Sequence, residues 1–152
     1  MKIEIRKAQE IEIETLLAFE KGIIKAERNF DPTLKEGEIH YYDLIELIKS
    51  PNAEVLVAVS NEKIVGSGYA KIITAKSYLK HNAYAHFGFM YVLPEVRGLG
   101  IIQNVLNELM NWTKSKNISE VRLEVYDENT TAKNAYIKSG FKPHILEMRM
   151  KI

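Results

Sequence analysis

The sequence predicts a mixed α/β fold in which helices cover a central sheet. The spacing of hydrophobic residues changes several times along the chain, from every second residue to every third or fourth, which distinguishes strands from helices. Residues typical of turns, such as Pro, Gly, Asn and Asp, fall between these segments. A loop with two glycines joins one strand directly to an amphipathic helix. Together these observations predict the element order β-α-α-β-β-β-α-β-α-β.

The first fifty residues predict one strand and two helices. Ile3 and Ile5 alternate with charged residues, as in a strand with one buried face. Apolar residues at helical spacing then predict a helix over residues 11–28 and another over residues 39–49. The turn residues that end these helices are Asn29, Asp31 and Pro32 for the first, and Ser50, Pro51 and Asn52 for the second.

The middle of the chain predicts three consecutive strands. The Val-rich segment 54–59 is the first, and a tight turn at Asn61 and Glu62 leads to the second at 63–73. Small and aromatic residues alternate over 83–93, which predicts the third. Pro94 ends it, because proline has no N–H to donate to a neighbouring strand.

The last third predicts a helix, a strand, a second helix and a final strand. Apolar residues line one face of residues 102–116, and alternation resumes over 121–126. Asn129 is suited to cap the next helix, and Gly140 fits the left-handed position after its end. The segment from Lys142 to Lys151 alternates again and predicts a last strand.

Composition narrows the function without identifying it. The length of 152 residues suits a single domain, which we assign to residues 1–152. The formal net charge of +1 gives no global field that would draw the chain to nucleic acid or to a membrane. Because there is no signal-peptide pattern and no long apolar run, we expect a cytoplasmic protein. The absence of cysteine excludes disulfides, Cys-based metal sites and a Cys nucleophile.

The segment Arg97-Gly98-Leu99-Gly100 is the most informative for chemistry. It opens a helix whose first N–H groups have no intrahelical partner, and the glycines let a phosphate approach them closely. The same glycines also suit a tight turn with no ligand. A nucleotide triphosphate loop would need Lys and Ser or Thr after Gly100, and a dinucleotide loop would need glycine at position 103. Ile101, Ile102 and Gln103 stand there instead.

Two motifs together resemble the GNAT superfamily of N-acetyltransferases. The first is Arg97-Gly98-Leu99-Gly100, which resembles the family pattern [Gln/Arg]-x-x-Gly-x-[Gly/Ala] except that Ile102 occupies the last position. The second is the segment 129–141, which matches Asn-x-x-Ala-x-x-x-Tyr-x-x-x-Gly-Phe at every named position. The resemblance implies a twisted mixed sheet of about six or seven strands flanked by about four helices. It also implies that acetyl-CoA is the cosubstrate.

The resemblance further implies where the cofactor binds. The strand before the glycines would separate from its neighbour at a bulge, and the pantetheine arm would lie in that gap. The implied cofactor-binding residues are Met90, Tyr91, Val92, Arg97, Gly98, Leu99, Gly100, Ile101, Ile102, Asn129, Ala132 and Tyr136. Ile102 would offer its N–H while its side chain points away from the ligand.

Two residues are candidates for proton transfer. Tyr136 resembles the family tyrosine near the sulfur, and a phenol with a pKa near ~10 can protonate or hydrogen-bond a departing thiolate whose conjugate acid has a pKa near ~8.5. His86 lies in the strand before the bulge, where the resemblance implies a general base, and imidazole titrates in the appropriate range. Tyr84, or a water chain to Glu124, is an alternative base. His40 lies near the implied acceptor region, and the alternative to substrate contact is a surface or packing role. The four histidines do not have the spacing of a metal-binding motif.

The predicted function is therefore transfer of an acetyl group from acetyl-CoA to a small-molecule or peptide amine. One alternative is a CoA-binding regulatory module that keeps the fold without turnover. A phosphate-binding enzyme of unrelated fold is a third reading. The sequence leaves open the identity of the amine and whether the protein forms a homodimer.

Overall fold

A computed structural model describes all 152 residues and contains one five-stranded sheet with helices on both faces. Short 3-10 turns cover Glu10–Glu12 and Pro94–Val96. The elements in chain order are β1 (Glu4–Lys7), α1 (Ile13–Glu27), α2 (Leu44–Lys49), β2 (Ala53–Ser60), β3 (Lys63–Thr74), β4 (Ala83–Val92), α3 (Ile101–Ser115), β5 (Val121–Leu123) and α4 (Thr130–Lys138). This arrangement confirms the predicted mixed α/β fold, with one strand fewer than the sequence predicts.

The strands lie side by side in the order β1-β2-β3-β4-β5. The first three pairings are antiparallel, and β4 pairs with β5 in parallel. Asn61 and Glu62 both adopt positive φ angles, of 49° and 65°, in the predicted turn between β2 and β3. Two positive φ angles in sequence are the geometry of a tight hairpin turn whose twist matches that of the strands.

Each face of the sheet has its own hydrophobic core. A cluster of 12 buried residues lies under α3 and includes Leu106, Leu109 and Phe87. A cluster of 11 buried residues lies under α1 and α2 and includes Leu16, Phe19 and Phe89. Because Phe87 and Phe89 belong to different cores, β4 contributes apolar side chains to both layers.

The second helix is shorter than predicted. Residues 39–43 are not helical, and α2 begins only at Leu44, after Asp43 caps it by accepting from the Glu46 N–H at 3.1 Å. The N–H groups of Tyr41 and Tyr42 instead donate to the carboxylate of Glu20 in α1, at 2.8 and 3.0 Å. Because these N–H groups bond to a side chain far away in the sequence, the first turn of the predicted helix does not form.

The predicted C-terminal strand over Lys142–Lys151 is absent. Residues 142–152, which we call the C-terminal tail, form no regular secondary structure and are exposed throughout. The predicted strand over 121–126 is also truncated, since β5 ends at Leu123. Hydrophobic and polar residues alternate in both segments, as in a strand. However, residues 124–126 and the C-terminal tail have no neighbouring strand to pair with. No helix has the length and apolar character that crossing a membrane requires.

Candidate functional site

The loop Arg97–Gly100, which we call the glycine loop, leaves open space in front of the start of α3. Gly98 and Gly100 have φ angles of +82° and +79°, in the left-handed region that favours glycine. A Cβ built on either residue would meet no atom within 4 Å, so the space in front of the loop is free. Gly100 caps α3 without a side-chain hydrogen bond. The first N–H groups of a 15-residue helix therefore point into open space with their partial positive charge.

Arg97 is fixed at the edge of this loop. Its Nε donates to the carbonyl oxygen of Val92 at 2.9 Å, and its guanidinium lies 5.6 Å from the centre of the Tyr91 ring. The terminal nitrogens of Arg97 make no hydrogen bond within the chain, so they are free to contact an anion. Ile102, the residue that departs from the family pattern, packs its side chain against the core under α3.

A gap opens between β4 and β5 next to the glycine loop. The parallel pairing of these strands ends where Phe87 faces Leu123, while β4 continues to Val92 with no partner on that side. Phe89 has a φ angle of +59°, and the pairing of β4 with β3 shifts register there, which is a β-bulge. Ser67 stabilises the bulge by donating to the Phe89 carbonyl at 2.9 Å. The backbone of β4 beyond the bulge, which includes Met90, is therefore available along this gap.

Tyr136 is held by the end of α4. The N–H of Phe141 donates to the Tyr136 carbonyl and the N–H of Gly140 to the Ile137 carbonyl, both at 3.0 Å, with Gly140 at a φ angle of +103°. This pair of bonds is the Schellman arrangement. Phe141 also packs edge-on against the Tyr136 ring, with centroids 6.0 Å apart. The Gly140-Phe141 end of the second motif thus fixes the orientation of the tyrosine ring.

The hydroxyl of Tyr136 makes no hydrogen bond within the chain. Burial raises the pKa of this phenol to about 12, with a smaller contribution from the negative charge of Glu27. The group is therefore protonated across the whole physiological range.

At the other end of α4, the Asn129 side chain accepts from the Ala132 N–H at 3.2 Å, which confirms the predicted cap.

His86 lies on the opposite face of the sheet, toward α1 and α2. Its ring is 6.2 Å from that of Tyr69, and its backbone pairs with Lys71 and Arg122. Burial lowers the pKa of His86; the Glu124 carboxylate opposes this shift and Lys71 adds to it. The imidazole is therefore neutral at pH 7 and able to accept a proton. Tyr84, the alternative base, lies under the Arg122 guanidinium at 5.2 Å.

Glu20 is a fully buried carboxylate that the sequence did not identify as functional. One oxygen lies 2.7 Å from His40 Nδ1, and the other accepts the two N–H groups of Tyr41 and Tyr42. These bonds tie the segment before α2 to the middle of α1. His40 is thus hydrogen-bonded to α1, and its side chain remains 52% exposed. The only signal in the sequence was an acidic residue on the apolar face of a predicted helix.

A group of acidic and tyrosine side chains lies at the C-terminal end of α1. The Tyr126 hydroxyl donates to Asp31 at 2.6 Å, and the buried Tyr41 hydroxyl faces Glu27 without a hydrogen bond of standard geometry. Burial raises the pKa of Glu27, whereas hydrogen bonds from Thr33 and Tyr126 lower the pKa of Asp31 to about 2. We call Glu27, Asp31, Tyr41 and Tyr126 the acid–tyrosine cluster. No sequence motif indicates the acid–tyrosine cluster, because its members come from three separate segments of the chain.

Comparisons with known proteins agree on one family. The family model described as Acetyltransferase (GNAT) family matches residues 22–141. A spermidine N(1)-acetyltransferase of Thermoplasma acidophilum is 28% identical, over 93% of this chain and 89% of the relative. The solved structure of an acetyltransferase from Clostridium acetobutylicum with acetyl-CoA is 20% identical, with a TM-score of 0.77 over 99% of this chain and 96% of that one. An aminoglycoside N-acetyltransferase in complex with CoA is 16% identical, with a TM-score of 0.73 over 98% and 100% of the two chains.

Proposed function

The chain belongs to the acetyltransferase (GNAT) family, and from this premise we propose that it transfers the acetyl group of acetyl-CoA to a primary amine. The observation that carries the proposal is the free first turn of α3, which adjoins an unpaired length of β4. Tyr136 and Ile101, the first residue of α3, pack in one hydrophobic cluster. Gln103 in the first turn of α3 also approaches α4, with its Nε2 3.5 Å from the Ala135 carbonyl oxygen. The proposal therefore places an anion site, a backbone edge and a protonated phenol around one opening.

Each part of the site has a distinct task in this proposal. The N–H groups of the glycine loop and of Ile101 and Ile102 hold the pyrophosphate, with Arg97 as a counter-charge. The free edge of β4 at Met90 and Val92 pairs with the amides of the pantetheine arm. Asn129 and Ala132 border the arm from the start of α4. The thioester then lies in the β4–β5 gap with its sulfur toward Tyr136.

Acetyl transfer proceeds by direct attack in a complex of both substrates. The amine nitrogen forms a bond to the acetyl carbon, and backbone N–H groups at the bulge stabilise the oxyanion that develops. Collapse of that intermediate breaks the carbon–sulfur bond, and the Tyr136 hydroxyl hydrogen-bonds the departing thiolate and passes it a proton, which water then returns to Tyr136. His86 accepts a proton from the amine, directly or through water. Since the chain has no cysteine, no acyl-cysteine intermediate forms.

The acceptor is best described as a small amine with more than one positive charge. Glu124 lies near His86 and Tyr69 on the α1 and α2 side of the gap, and the acid–tyrosine cluster continues this surface with two more carboxylates. Carboxylates and aromatic rings are the groups that recognise ammonium ions. The relative named as a spermidine acetyltransferase supports the same class of acceptor.

The function is tested by measuring CoA release with a thiol reagent across a panel of amines. The assay is clean because the protein itself has no thiol. We expect turnover with spermidine or another polyamine to exceed turnover with amino acids and peptide N-termini. A fully N-methylated polyamine, which has the charge but no N–H to replace, is the matched control. Tight acetyl-CoA binding with no turnover on any amine would contradict the proposal and favour the regulatory module.

The role of His86 predicts a specific pH dependence. Because burial lowers its pKa below the ordinary value of 6.5, kcat/KM rises with pH through an inflection below 6.5 and is level at neutral pH. Replacement His86→Gln removes that inflection and lowers the plateau by roughly 100-fold. Tyr84→Phe is the control, since it tests the other candidate on the same strand. If His86→Gln leaves the pH profile unchanged and Tyr84→Phe lowers kcat/KM, the general base is Tyr84 and not His86.

A further inference from the structure

Ser67 is a fully buried hydroxyl that belongs to neither of the two family motifs. It lies in β3, and its side chain donates to the carbonyl oxygen of Phe89 in β4, at 2.9 Å. This bond lies where the pairing of β3 with β4 shifts register. Buried polar groups with satisfied hydrogen bonds make the structure around them rigid. Ser67 therefore acts on the backbone of β4 at the bulge, although its own side chain is closed off from the β4–β5 gap.

The bulge interrupts the ladder that would otherwise hold this part of β4. Pairing with β3 stops at Gly88 and resumes at Tyr91, so Phe89 and Met90 have no partner residue in β3. A buried backbone carbonyl needs a hydrogen-bond donor, and a side chain can supply it where the ladder does not. The Ser67 hydroxyl supplies that donor to Phe89. The orientation of the peptide after Phe89 thus depends on one side chain.

The Phe89 carbonyl and the Met90 N–H belong to the same peptide unit. The chain has no cis peptide bond, and in a planar trans peptide the C=O and N–H bonds point in opposite directions. Since Ser67 holds the oxygen toward β3, the Met90 N–H points away from β3. The next strand on that side is β5, whose pairing with β4 ends at Phe87. The Met90 N–H is therefore directed toward the β4–β5 gap.

Gly68 constrains Met90 from the other side. A Cβ built on Gly68 would lie 2.8 Å from Met90 Sδ and 2.7 Å from Val105 Cγ1, closer than real atoms approach. The missing side chain at position 68 therefore leaves the room in which Met90 packs against the core under α3. With its side chain packed and the preceding carbonyl bonded, the backbone of Met90 is held in one orientation.

We propose that Ser67 is a positioning residue for acetyl transfer, because its hydrogen bond to the Phe89 carbonyl directs the Met90 N–H at the oxygen of the thioester. This inference rests on the proposed function, which assigns stabilisation of the oxyanion to backbone N–H groups at the bulge. A donor that is already oriented needs no reorganisation as negative charge develops on the oxygen. It therefore stabilises the transition state more than it stabilises the bound thioester.

The kinetics of Ser67→Ala give the first test. Without the hydroxyl, the peptide between Phe89 and Met90 is free to turn, so we expect kcat to fall roughly 10-fold to 100-fold, which is less than the loss from removing an oxyanion donor outright. The KM for acetyl-CoA should change by less than about threefold, because the variant loses an interaction made in the transition state. A merely structural role would lower the thermal midpoint and leave kcat of the folded enzyme unchanged.

Two further variants separate positioning from folding. Thr113→Val removes another buried hydroxyl, which donates to the Leu109 carbonyl at 2.8 Å within α3. It should leave kcat within about twofold of the parent, since distant sites without shared partners act independently. Ser67→Cys keeps a weak donor of similar size and should recover part of the lost rate. Because its thiol would react with a thiol reagent, turnover of this set is followed by the loss of thioester absorbance.

The infrared spectrum of bound acetyl-CoA tests the same bond without turnover. A hydrogen bond to the thioester oxygen weakens its C=O bond, so an isotopically labelled acetyl group should absorb at lower frequency in the parent than in Ser67→Ala. That difference, found in a protein that acetylates no amine, would contradict the proposed function and still support the orientation of Met90 by Ser67. A Ser67→Ala variant with the parent kcat and the parent carbonyl frequency would overturn the positioning role. An equal fall of kcat in Ser67→Ala and Thr113→Val would overturn it as well.

Discussion

Replacing Tyr136 with phenylalanine is expected to lower kcat by roughly 100-fold to 1,000-fold, in the range of general acid catalysis. A phenol at its ordinary pKa of about 10 is already protonated at neutral pH. Burial raises the pKa of Tyr136 further, to about 12, and no group of the chain competes for its hydrogen. Removal of the hydroxyl therefore removes the proton that a departing thiolate would receive. The KM for acetyl-CoA should change little, because the pyrophosphate and pantetheine contacts belong to α3 and β4.

The Tyr136→Phe variant distinguishes the loss of the hydroxyl from the loss of ring packing. It retains the ring that packs on Phe141, so its thermal midpoint should stay close to that of the parent protein. Rates measured with an acetyl thioester of a more acidic thiol provide the sharpest control. A better leaving group needs less protonation, so the defect of Tyr136→Phe should shrink with it. A kcat within about twofold of the parent would contradict the role of general acid, whose removal should cost at least 100-fold.

Replacing Glu20 with alanine is expected to destabilise the protein by about 3 kcal/mol, because two amide donors and His40 lose their acceptor in a buried position. For a domain of this size that free energy corresponds to a fall of roughly 10 °C in thermal midpoint. The segment before α2 should also loosen. We therefore expect a higher KM for the amine, with a smaller change in the KM for acetyl-CoA.

The chain offers matched controls for this prediction. Glu14→Ala removes a carboxylate from an exposed position of the same helix, and should shift stability by no more than about 0.5 kcal/mol. Glu20→Gln keeps one acceptor oxygen and should lie between the parent and Glu20→Ala. Thermal unfolding followed by circular dichroism measures all three variants. A midpoint for Glu20→Ala that matches that of Glu14→Ala would show that the buried carboxylate contributes nothing to stability.

The features that the sequence predicted well are those encoded by neighbouring residues. The cap at Asn129 and the left-handed Gly140 both follow from chemistry within one turn of α4, and both are present. The same holds for the turn at Asn61 and Glu62 and for the glycine loop. Short-range signals of this kind can be interpreted without knowing the tertiary contacts of the chain.

The features that the sequence predicted poorly depend on distant partners. The start of α2 was placed too early, because the N–H groups of Tyr41 and Tyr42 are bound by Glu20, about twenty positions away. The tail was predicted as a strand, but a strand requires a neighbour that alternation alone does not supply. The Asp31–Tyr126 bond joins residues far apart in the chain, so no local pattern could identify the acid–tyrosine cluster.

At the bulge, Phe89 packs on the opposite face of the sheet from Phe87, so the backbone there is held by both hydrophobic cores. In a regular strand, residues 87 and 89 would lie on the same side of the sheet. Here one strand carries Phe87 into the layer under α3 and Phe89 into the layer under α1 and α2. An enlarged side chain in either layer would therefore displace the stretch of backbone that borders the gap. In the proposed reaction, a repacked layer would therefore change the gap in which the thioester lies, although no substituted residue contacts the substrates.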